Sequence, residues 1–203
     1  MPTWFKTCNA IYWLSLTIWV AAILGAGIAA AGVFSTLPTL GLRIERFEPA
    51  LDGDLAQHGR VAGGMVMEPI FTFTDFAQAG AAALVVLMLV LQVAVFRMRL
   101  LSPANLLRTL CIIAAVALVG YHMTSIAPRM NRELRSYWHA LENADRTAMQ
   151  AHRTAFDQDH VLADRLFKLR LALVIVAIAA SAAAFTPSAP LNRGGLEKPQ
   201  LSR

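Results

Sequence analysis

Four stretches of this sequence are so continuously apolar that few folds remain open to it. They run from Ala10 to Phe34, Phe71 to Phe96, Thr109 to Ala127 and Leu169 to Phe185. A helix that crosses the hydrocarbon layer of a bilayer needs about 20 mostly apolar residues, and each stretch approaches or exceeds that length. The fourth is the shortest, and Lys168 and Arg170 are expected to snorkel to the headgroups and extend it. Composition agrees: the chain is 57% hydrophobic and 15% charged, whereas soluble domains carry roughly 25% charged residues. The expected fold class is all-α, an integral membrane four-helix bundle. A signal peptide ending at AAAG near residue 30 is the competing reading of the first stretch. The apolar run far exceeds the usual length of about 7 to 15 residues, and only Lys6 charges its start, so an uncleaved span is favoured.

The connections carry the rest of the architecture. Residues 35–68 hold Pro38, Gly41, Gly53, Gly59, Gly63 and Gly64, which reads as a loop, and its amphipathic piece LRIERFEPAL is expected to lie along the membrane interface. Residues 128–168 have no Gly and no Pro after Pro128, so spans three and four should project as a helical hairpin. Its apolar stripe, Leu134, Trp138 and Leu141 followed by Phe156, Leu162 and Leu166, reads as a packing seam. Small residues at helical spacing in span one (Ala21, Gly25, Ala29), span two (Ala79, Gly80, Ala83) and span four (Ala172, Ala180, Ala184) suggest close helix approach. Residues 1–186 thus form one membrane domain, and the Pro- and Gly-rich 187–203 a disordered polar tail. The compact turn with Arg97, Arg99 and Arg108, together with Lys6 and the basic tail, places both termini in the cytoplasm, although the raw count of Lys and Arg is larger on the other side. A bacterial inner membrane is the expected location.

Function is less legible. Signatures of nucleotide binding and of serine or cysteine hydrolases are absent, and so is an aromatic-interleaved basic patch for nucleic acid. Cys8 and Cys111 are too few for a disulfide framework or a four-cysteine zinc site. No cofactor is expected, and an enzyme is disfavoured. The expected partners are the lipid bilayer and either a membrane-protein partner or a second copy of the chain. One polar pair stands out. Asp75 and His122 lie at nearly equal distances in sequence from the turn joining spans two and three, which puts them level to within about 3 Å at the helical rise. Ionisable groups within a span are expensive, and pairing lowers the expense of both. The candidate intramembrane polar pocket therefore comprises Asp75, His122, Glu68, Arg129 and Arg132, with water at the boundary as the plain structural explanation. Met65, Met67 and Met123 beside His122 are weak copper ligands. His152 and His160 with Asp159 and Asp164 have helical metal spacing but read as a solvated face.

Three segments, RVAGGMVMEPIF before span two, APRMNRELR after span three and FDQDHVLADRL before span four, resemble a bacterial four-helix membrane family known only as a domain of unknown function, together with eukaryotic proteins similar to transmembrane protein 205. The resemblance covers roughly residues 12 to 185. Ala62 and Gly63 match its Ala-Gly pair, Pro128 and Arg135 its Pro and Arg, and Phe156 and His160 its Phe and His. Ala163 stands where the family has serine, which weakens any role carried over to His160. The family is in turn distantly similar to copper-resistance D-like proteins, which implies copper or heme, but His122 is the sole histidine within a span and heme does not carry over. The preferred reading is a multi-pass membrane protein of structural or partner-binding role. The alternative is a small transport or copper-handling protein with its pocket near Asp75 and His122.

Overall fold

The computed structural model describes residues 3–98 and 101–185; the tail expected at 187–203 lies outside them. Among the described residues the chain is all-α. Four helical columns, α1 (Thr3–Thr36), α3 (Leu55–Ala94), α4 continued by α5 (Pro103–Tyr121, Ala127–Glu142) and α6 (Arg146–Phe185), are long and apolar enough to cross a membrane. They are compatible with a multi-pass membrane protein. Helix α2 (Glu48–Leu51) is a single turn in the first connection.

The columns pair as two antiparallel hairpins, α1 with α3 and α4–α5 with α6. Register in the first hairpin follows from its contacts: Phe5 stacks edge-on against Phe96, the Cys8 thiol meets the Met88 carbonyl, and Phe34 lies on Gly63. The shared core takes one face from each column, including Leu16, Trp19 and Ile23 of α1, Val85 of α3, Ile112 of α4 and Val174 of α6. The opposite faces are also apolar. Ile18 and Ile28 on α1, Leu87 and Val90 on α3, Ile113 on α4 and Ile175 on α6 all point outward. A helix apolar all round needs either a large protein or lipid about it, and among the described residues no further layer covers these faces.

Three expectations are corrected. Gly59, Gly63 and Gly64 belong to the first turns of α3, which begins at Leu55 with Asp54 capping the Gln57 N–H at 3.0 Å. Gly59 is where the helices touch: a Cβ there would stand 2.4 Å from the Leu37 carbonyl oxygen and 2.5 Å from Pro38 Cα. The small residues expected at interfaces, Gly25 and Gly80, instead have nothing within 4 Å of a built Cβ. The third correction concerns Arg170. It does not snorkel but is 1% exposed, on the inward face of α6.

Residues 127–168 are helical apart from the turn at Asn143–Asp145. The turn closes α5 with Ala144 in the left-handed region (φ 52°), with the Asp145 N–H donating to the Ala140 carbonyl and the Ala144 N–H to the Leu141 carbonyl, the arrangement in which glycine is usual. Part of the stripe expected on this hairpin packs beyond it. Tyr137 and Leu141 pack against Phe47, Ala50 and Leu51 of the first connection and Val61 of α3, so the amphipathic piece caps the hairpin. His58 fixes the cap. Its Nδ1 accepts the Ile44 N–H at 3.2 Å, which leaves Nε2 as the donor to Glu48 Oε2 at 3.0 Å. Arg43 Nε donates to the same carboxylate at 2.9 Å. The Glu48 carboxyl is held below the ordinary carboxylate range, chiefly by the hydrogen bond from Arg43, against partial desolvation.

Candidate functional site: a vestibule between the two hairpins

The two hairpins part toward the capped end and enclose a cavity of about 580 Å³. Two prolines stand in its walls. Pro69 lies within α3, and Pro128 near the start of α5 follows a π-helical stretch, His122–Ile126. Proline lacks an N–H and its ring presses on the carbonyl of the residue four positions earlier. Widening the helix to π geometry before Pro128 relieves that pressure. The Thr124 hydroxyl donates to the Gly120 carbonyl at 2.7 Å within the same stretch. The widened turn carries His122 at its head.

At the base of the cavity His122 Nε2 lies 3.2 Å from Asp75 Oδ2, with side chains 12% and 16% exposed. Glu68 lines the wall above and receives a two-nitrogen contact from Arg135, at 2.8 and 3.0 Å. The structure therefore brings Asp75, His122 and Glu68 to one cavity. It places Arg129 and Arg132 outside the lining: Arg129 reaches Asp159 of α6 at 2.9 Å and Arg132 reaches Glu133 at 3.6 Å. Arg135, which was not among the sequence candidates, is the arginine that meets the Glu68 carboxylate.

Most of the wall is apolar. Phe34, Met67, Leu134, Trp138 and Phe167 contribute from all the columns that face the cavity. The methionines diverge. Met67 lines the cavity, Met65 accepts from Arg46 on the cap side at 3.7 Å, and Met123 packs against the central core. His152 bonds Glu133 at 2.8 Å, and His160 stacks on Phe156 with centroids 5.4 Å apart. Among the described residues no group of three His, Cys, Asp or Glu side chains is placed to hold a metal ion.

A second polar layer lies near the other end of the bundle. The Ser181 hydroxyl donates to the Ala177 carbonyl at 2.6 Å, so the Tyr12 hydroxyl, 2.8 Å from Ser181 Oγ, is the donor of that pair. Arg108, fully buried, donates to Gln92 at 3.0 Å and lies over the Tyr12 ring. Neither this layer nor Arg170 was singled out in the sequence as a candidate site. The available signal was a basic residue at a buried helical position next to an apolar run.

No family model, curated protein or solved structure matches this chain.

Proposed function

We propose that the chain is a multi-pass protein of a bacterial inner membrane whose vestibule binds a small single-chain amphiphile, and that it serves in the carriage or sensing of that ligand. The observation that carries this reading is the vestibule itself, about 580 Å³ with apolar walls and the Asp75–His122 pair at its base. Small-molecule sites have volumes of about 300–1,000 Å³, mostly apolar linings and a few placed polar groups. An ionisable pair in an apolar span is a functional-site hypothesis by default. A purely structural or partner-binding subunit has no need of such a cavity. The resemblance to the four-helix family is retained as a proposal of ancestry and adds no activity.

The test is quenching of Trp138, which lines the cavity, by a terminally brominated dodecanol added to the full chain in phosphatidylcholine nanodiscs. Saturable quenching is expected, and it should be lost in Gly64→Leu. Gly64 has 3.8 Å between a built Cβ and Trp138 Cζ2, so a leucine there fills the cavity. Quenching that never saturates, or that Gly64→Leu leaves intact, would overturn the reading.

A further inference from the structure

Every acid lining the vestibule has a cationic neighbour: Asp75 has His122, Glu68 has Arg135, Asp157 has Arg153 at 3.9 Å and Asp164 has Lys168 at 2.6 Å. Among the described residues Arg170 has no such counterpart in contact. It is 1% exposed, and its Nε, Nη1 and Nη2 all lack a hydrogen-bond partner. A buried guanidinium left that way is among the most expensive arrangements a bundle can hold.

Its position is fixed by register. Ile23 lies as far along α1 from Tyr12 as Arg170 lies back along α6 from Ser181, and Tyr12 and Ser181 are bonded. In the α1–α3 pairing Ile23 stands opposite the Thr74–Asp75 level, and the Asp75 charge acts on Arg170. Side chains on a helix slant toward its N-terminus, and the N-terminal half of α6 borders the vestibule. The guanidinium accordingly lies close beneath the cavity floor, 5.5 Å from the ring of Phe167, which lines the cavity; Arg170 and Gln78 themselves do not line it. Three more groups at or just below this level lack partners: His122 Nδ1, both amide atoms of Gln78, and Trp19 Nε1. Gln78 and Trp19 are fully buried. The inventory has many donors and few acceptors, since Arg170 alone carries five N–H groups and Trp19 and Gln78 add more.

We infer that the vestibule floor opens onto an anion site just beneath it, in which Arg170, assisted by Gln78, receives the carboxylate of a single-chain amphiphile whose apolar body fills the cavity. The inference rests on the vestibule reading above and names the chemistry of its ligand. A carboxylate presents two oxygens to the planar fork of an arginine. It also brings one negative charge to one guanidinium that no acid of the described residues contacts, where a phosphate would bring nearly two.

The same nanodisc assay tests it with three brominated dodecyl probes that differ only in headgroup: carboxylate, alcohol and phosphate. Hydrogen bonds to charged groups are worth enough to give the carboxylate a preference of about tenfold over the alcohol in the parent chain. Arg170→Gln should abolish that preference while alcohol binding persists, and Arg170→Lys should leave a reduced one. Equal affinity for carboxylate and alcohol in the parent chain overturns the anion site while the vestibule stands. Tightest binding of the phosphate overturns the carboxylate assignment. Failure of all three probes to quench Trp138 overturns the vestibule reading and the anion site together. Because the parent chain decides the headgroup question, the conclusion survives even if Arg170→Gln does not fold.

Discussion

Substituting Gly59 by alanine places one methyl group where the end of α1 meets the start of α3. The built Cβ lies 2.4 Å from the Leu37 oxygen, 2.6 Å from the Leu37 carbonyl carbon and 2.5 Å from Pro38 Cα. Carbon atoms in good contact stand about 3.5–4.0 Å apart, so the two backbones must separate by about 1 Å. Backbone cannot swing aside as a long side chain can. Overpacking of this kind costs about 1–3 kcal/mol, and more where the main chain has to move. Replacing a helical glycine by alanine returns up to about 1 kcal/mol of propensity. A net loss of about 2 kcal/mol is expected, read as a lowered midpoint in reversible unfolding by sodium dodecyl sulfate from mixed micelles. Gly25→Ala and Gly80→Ala are the matched controls, because both Cβ positions open onto empty space; they should be neutral or mildly stabilising. Gly59→Ala as stable as the parent chain, or Gly25→Ala equally damaged, would refute the reasoning.

Ala144→Gly should stabilise the hairpin turn by about 0.5–1 kcal/mol, since a left-handed alanine costs about 1–2 kcal/mol and glycine gives part of that back as chain entropy; a lowered unfolding midpoint would contradict it. The cap should open in acid. The folded Glu48 carboxyl has a depressed pKa, so its contribution is complete above the ordinary carboxylate value of about 4.3 and is lost as pH falls through the lower folded value. Exchange of the Ile44 amide, corrected for intrinsic rate, should accelerate over that window in the parent chain and lose this pH dependence in Glu48→Gln. Cysteines introduced at Ser102 and Asp145 should be labelled from opposite sides of the membrane, with Ser102 on the cytoplasmic side; labelling of both from one side would remove the four-span arrangement.

The four apolar helices were legible because unbroken hydrophobic length is a strong signal, and the hairpin was legible because no Gly or Pro stands between Pro128 and Lys168. The bounds were less so. Residues 55–68 were read as loop on the strength of their glycines, yet Gly59 and Gly63 are there to let α1 approach α3, which composition cannot distinguish from a turn. Asp75 and His122 could be brought level by counting along two helices. Their neighbours could not: Arg135 reaches Glu68 through the facing of α5, which the π stretch before Pro128 shifts. Arg170 was misread because its place at the edge of an apolar run is the usual place of a snorkelling residue. Only the rotation of α6, with Ala163, Val174 and Ala177 buried on the same face, turns it inward.

That inward arginine bears on how the protein is made. Emerging alone into lipid, the last apolar helix would carry an unmatched guanidinium, and arginine at the centre of a span costs about 2.5–3.5 kcal/mol on the insertion scale. The helices that surround Arg170 in the finished bundle all precede it in the chain, and Asp75, whose charge acts on it, is synthesised well before it. In a bilayer the first three spans would form the receiver into which α6 docks, and its lateral entry would be coupled to their prior assembly.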